Sequence, residues 1–118
     1  LAGRFPDLVV PQHIADVGRH MNEAAMLINC LPPEASHMIQ HLPLSSLSSE
    51  GVIYDLNYGQ RDPSVAAASA QAGKSFQDGL DMLVWQGLES FKLWTGFNAD
   101  FESVRQNLGF APSTVCSN

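Results

Sequence analysis

Gln86 asks for a polar partner. It lies between Trp85 and Gly87 in the stretch DGLDMLVWQGLESFKLWTG, residues 78–96, at the margin of an apolar stripe. A primary amide both donates and accepts hydrogen bonds, so it suits contact with a polar ligand or with solvent. Three other places carry small, polar or aromatic residues directly after apolar runs. They are residues 29–31, 55–58 and 78–79, which include Asn29, Tyr58 and Gly79. In open α/β sheets ligands bind beyond the carboxyl ends of the strands. These positions therefore read as the wall of a binding site rather than as catalytic machinery.

Other chemistries find little support. His37 and His41 are four residues apart and share a helix face, but no further ligands cluster beside them. Solvated surface histidines are the simpler reading, and no metal is expected. Cys30 and Cys116 have no metal-type spacing, so reduced thiols in a cytoplasmic protein are the expectation. No G-x-G-x-x-G phosphate turn and no Ser-His-Asp arrangement occurs. Lys74 and Lys92 are the only lysines, and no catalytic residue is assigned.

The net charge of −6, with six scattered basic residues, argues against nucleic acid or an anionic membrane as partner. Apolar content of 45% is ordinary for a globular chain. No apolar run approaches the roughly 20 residues of a membrane helix. The opening LAGRFPDLVV lacks the pattern of a signal peptide.

The elements that must position these residues follow from periodicity. Leu80, Leu83, Val84, Gly87, Leu88, Phe91 and Trp94 recur at steps of three and four, which predicts a helix over 78–96. Asp78 suits its N-cap and Gly96 its left-handed C-cap. Strands are expected at 7–10, 25–29, 51–54 and 74–77. Residues 12–21 suggest a short helix or turn. Residues 30–50, with three prolines and five serines, predict a loop with at most one or two helical turns. A helix is expected over 63–72, capped by Asp62 and stopped at Gly73, and a last helix over 100–108. The remaining tail, 110–118, is expected to be loose. Strands alternating with helices give an α/β class with a parallel sheet.

These stretches carry a resemblance. GL-x-MLV-x-Q followed by F-x-LWTG resembles the C-terminal signature of shikimate dehydrogenase. VIYDLNYGQRDPSVAAASAQAG is similar to that family's strand, turn, proline and helix. MLINCLP resembles its I-N-A-T-P strand end, and LAGRF the helix after its cofactor loop. The resemblance runs from Leu1 to about Leu108, and implies a partial Rossmann-like, doubly wound sheet with helices on both faces. Residues 1–109 would be the C-terminal part of an NADP-binding domain.

It also implies roles. Asn29 would lie against the NADP cofactor, Leu56 and Met82 would contact the nicotinamide, and Gly79 would let backbone approach the ring. Tyr58 and Gln86 would face the substrate, shikimate or 3-dehydroshikimate. Read as residues alone, Leu56 and Met82 suit plain core, Gly79 a helix start, and Tyr58 a surface turn. The family's catalytic Lys and Asp would lie in its N-terminal domain, outside this sequence. Two departures stand out: residues 31–35 read LPPEA where the family has T-P-x-G-M, and Asp81 replaces a glycine in G-L-G-M. A carboxylate at 81 would repel a bound phosphate unless it points to solvent.

In the doubly wound fold the first two strands lie at the centre of the sheet, and nothing here supplies them. An apolar sheet edge left open in this way is an association hazard. The expectation is a piece of a longer enzyme, or a chain that completes its sheet with a second chain. The alternatives are a quinate/shikimate dehydrogenase paralogue and a non-catalytic interaction module docking through that edge.

Overall fold

The computed structural model describes residues 8–59 and 63–109. Three short strands, β1 (Met26–Asn29), β2 (Val52–Asp55) and β3 (Ser75–Asp78), form one parallel sheet in the order β1-β2-β3. Their register aligns Leu27, Ile53 and Phe76, then Asn29, Asp55 and Asp78. The fold is α/β and partly Rossmann-like, as expected.

Parallel strands need crossovers, and the connecting segments provide them. Between β1 and β2 the chain forms two 3-10 helices, Pro33–His41 and Leu44–Ser46. Between β2 and β3 lies the alanine-rich α1 (Ser64–Gln71). Gly73 ends that crossover at φ +66°, where a side chain would be strained.

Side chains alternate across a strand. On one face Ile53 is fully buried against Met21, Ile39, Leu44, Leu47 and Val65. The first 3-10 helix (Ile14–Glu23), the two between the strands, and α1 thus roof this face. Lys74 closes its lower end, its Nζ donating to Leu47 O at 2.9 Å and Ser48 O at 2.8 Å. On the opposite face Met26 and Ile28 remain half exposed on β1, which among the described residues pairs only with β2.

Beyond β3 runs α2 (Leu80–Thr95), then α3 (Phe101–Asn107). Asp78 Oδ1 accepts from Leu80 N at 3.1 Å, satisfying one orphan donor of the helix start. Gly96 is left-handed at φ +75°, and its N–H closes on Lys92 O. Asp100 caps α3 by accepting from Ser103 N at 2.8 Å. Trp85 and Phe101 stack with centroids 4.7 Å apart. A cleft of about 450 Å³ between the two helices is lined by Leu83, Val84, Gly87, Leu88, Phe91 and Val104.

Several expectations need correction. The apolar run at 7–10 forms no strand among its described residues 8–10; Leu8 and Val10 are exposed and have no strand beside them to bond. An apolar run alone is not a strand without a neighbour. The 30–50 segment is largely helical, because Pro33 opens a helix at its first position, where a missing N–H costs nothing. Only the first half of the predicted stripe on α2 is packed: Leu80 and Val84 are buried, whereas Phe91 and Trp94 are exposed. The expected helix end at 1–5, the Asp62 cap and the 110–118 tail lie outside the described residues.

Candidate binding site at the carboxyl rim of the sheet

The three strands end level. Asn29, Asp55 and Asp78 are the last residues of β1, β2 and β3 and stand side by side in register. The turns that follow carry Leu31, Leu56 to Tyr58, and Gly79, so segments distant in sequence form one rim.

A buried polar network underlies that rim. Asn29 is 1% exposed. Its Nδ2 donates to Ser36 Oγ and to Asp55 Oδ1, both at 3.0 Å, and its Oδ1 accepts from Leu31 N at 3.0 Å. Asp55 Oδ1 also accepts from Asn57 N at 3.0 Å and Asn57 Nδ2 at 2.8 Å. Asn57 Nδ2 lies 3.1 Å from Leu31 O as well. The side chain of Asn29 is thus satisfied within the protein, and it shapes the rim from beneath. Ser36, Asp55 and Asn57 share that task; the sequence placed Asp55 and Asn57 only within the 55–58 stretch of the site wall and gave Ser36 no role. Their signal was there: Asp and Asn after a strand bind their own following backbone and set the turn.

Gly79 sits against the backbone of Leu56. A Cβ on Gly79 would stand 2.8 Å from the Leu56 carbonyl carbon and closer still to its oxygen. Gly79 N donates to Asn57 O at 3.0 Å, and Leu56 N to Asn29 O at 3.0 Å. The rim is therefore laced by backbone bonds from one turn to the next.

Above it, Met82 and Tyr58 are each about two-fifths exposed. Gln86 is exposed, and its backbone carbonyl accepts from Ser90 Oγ at 2.9 Å. Met82 and Gln86 are four apart, so they share one face of α2. Of the six residues singled out, Leu56 and Gly79 touch, Met82 and Gln86 line one helix face, and Asn29 and Tyr58 flank the rim.

Asp81 does not point to solvent. It is 7% exposed. Its Oδ1 lies 2.7 Å from Arg105 Nε, and its Oδ2 accepts from Gln77 Nε2 at 3.1 Å. The guanidinium balances its charge. Burial, then Asp81, then Asp78 push the Tyr54 hydroxyl above its ordinary value of 10.0. Hydrogen bonds from Ser103 hold the Asp100 carboxyl below its usual range.

Among the described residues no group of three or more His, Cys, Asp or Glu could hold a metal ion. His37 Nδ1 lies 2.9 Å from Glu34 O, at the start of its own helix. No helix among the described residues is long and apolar enough to cross a membrane. The rim thus presents the partly exposed Met82 and Tyr58 and the exposed Gln86 beside Leu56.

Residues 79–108 match the family described as Shikimate 5'-dehydrogenase C-terminal domain. The shikimate dehydrogenase (NADP(+)) of Staphylococcus aureus (strain JH9) is 31% identical over 93 residues, 78% of this chain and 35% of that protein. Mycobacterium tuberculosis shikimate dehydrogenase superposes with a TM-score of 0.64 at 25% identity, over 78% of this chain and 34% of that one. The shikimate 5-dehydrogenase of Thermus thermophilus, solved in complex with shikimate, gives 0.56 at 29% identity, over 92% and 40%. In sequence and in fold the chain therefore resembles the C-terminal part of these enzymes. It spans about a third of the length of the curated relatives it matches.

Proposed function

We propose that this chain, similar in sequence and fold to the C-terminal part of shikimate dehydrogenases, forms the cofactor side of an NADP-dependent enzyme of that kind. The complete enzyme would reduce 3-dehydroshikimate to shikimate in the cytoplasm, on the route to chorismate and the aromatic amino acids. The observation that carries this reading is the level rim of three registered strand ends, with Gly79 drawn against Leu56 and the matched segment rising from it.

The residues present suit the nicotinamide end of a dinucleotide. Leu56 and Met82 supply apolar surface, Gly79 keeps the backbone close, and Asn29 holds the turn beneath. A phosphate turn is not among them, and neither is a Lys or Asp assigned to proton transfer. Tyr58 and Gln86 would hydrogen-bond the hydroxylated ring of the substrate. The dinucleotide, when bound, supplies the hydride chemistry. The rest of the enzyme, or a second chain, would cover the open edge of β1 and the half-exposed Met26 and Ile28.

The test is NADP-dependent oxidation of shikimate by the natural protein that contains this sequence, beside the 118-residue chain alone. Turnover is expected from the former and none from the latter. A folded natural protein that turns over neither shikimate nor quinate overturns the reading, and faster turnover of quinate reassigns the substrate. The half-exposed edge of β1 favours one second reading, an interaction module. Sedimentation separates the two: an inactive protein that associates through β1 is a module.

A further inference from the structure

The first turn of α2 is held by one carboxylate bonded in two directions. Asp81 Oδ1 meets Arg105 Nε of α3 at 2.7 Å, and Asp81 Oδ2 meets Gln77 Nε2 of β3 at 3.1 Å. The paired side chains of Arg105 and Asp81 are 12% and 10% exposed. A pair this buried adds little net stability, because desolvation offsets most of its attraction. Its directional bonds nevertheless fix where three elements meet.

The outer half of α2 leaves Phe91, Leu93 and Trp94 exposed, so packing there does not set the helix direction. At the inner end Gly79 abuts Leu56, which blocks movement toward β2. Buried Leu80 and Val84 and the Trp85–Phe101 stack also hold α2, but such apolar contacts have no fixed direction. The two directional bonds of Asp81 add the restraint on rotation about the helix axis. Met82 follows Asp81 directly, and Gln86 lies one turn further along the same face as Met82.

We propose that Asp81, held between Gln77 and Arg105, is a positioning residue that sets the rotation of α2 over the rim and so the placement of Met82 and Gln86. The proposal rests on the dehydrogenase reading above, which gives those two residues their task.

Asp81→Asn and Arg105→Lys are tested in the natural protein by steady-state kinetics with shikimate, corrected for the folded fraction. Asp81→Asn is expected to lower kcat/KM about tenfold, chiefly through a higher KM. Arg105→Lys keeps the charge but loses the planar fork, so an intermediate rise in KM is expected. Asp16→Asn, which removes the exposed Asp16–Arg19 pair, leaves both constants at parental values. A pair that only stabilises the fold would lower the active fraction at unchanged KM, and that result overturns the proposal. If Asp81→Asn does not fold, a parental KM in Arg105→Lys overturns it equally. No turnover by the unaltered protein overturns the functional reading and this placement together. Parental KM values in both variants of an active enzyme overturn the placement alone.

Discussion

Gly79 and Leu56 meet backbone to backbone, with no room between them for a methyl group. The contact joins the end of β3 to the turn after β2, and neither side can yield by rotating a side chain. Gly79→Ala should therefore cost about 1–3 kcal/mol, the usual range for overpacking. A urea midpoint measured at unchanged slope checks it, and a parental midpoint would show that the turns relax freely. The φ of Gly79, −77°, is open to any residue, so close approach alone is the cause.

Asn29→Ala removes the acceptor of Leu31 N and one of the three hydrogen bonds that Asp55 Oδ1 accepts, in a buried place. The expected loss is about 2–3 kcal/mol, since unsatisfied buried groups keep their full desolvation cost. Thermal unfolding would report it. A variant as stable as the parent would mean that water enters and replaces the amide.

Gln86→Ala removes an exposed side chain and should barely change stability. In the complete enzyme it should lower kcat/KM for shikimate by about 1–3 kcal/mol, one to a few hydrogen bonds' worth. Parental kcat and KM would sink its assignment to the substrate.

Tyr54 sets a pH dependence. Its hydroxyl holds its proton more tightly in the folded chain than the ordinary value of 10.0. The stability this brings is complete below that pH. It is lost as pH rises from there through the folded value, because the unfolded tyrosine ionises first. Tyr54→Phe should flatten the fall seen in denaturant midpoints above pH 10.0. An unchanged fall would place its origin at another group.

The sheet and the two strongest helices were legible in the sequence because their signals are local. Apolar runs gave β1 and β2, and a short segment between Gly73 and the long helix gave β3, each to within a residue; Asp78 and Gly96 marked the ends of α2. The network beneath the rim was less legible. Ser36, Asp55 and Asn57 come together only because β1 and β2 pair in one register, which no spacing along the chain reveals. Asp81 was misread for a similar reason. Its partner Arg105 stands on another helix, and a sequence shows a charge without showing what neutralises it. The run at 7–10 failed in the opposite way, having the composition of a strand but no neighbour among the described residues.

The level ending of the strands has one more consequence. A parallel strand that slips by a single residue turns its inward side chains outward. In β1 such a slip would put Ile28 or Cys30 where Asn29 now meets Asp55. The amide would leave and an alkyl group or a thiol would face a buried carboxylate. The pairing of Asn29 with Asp55 thus acts as a proofreading mark for strand alignment: a misaligned sheet cannot complete it, and only the correct register closes the rim.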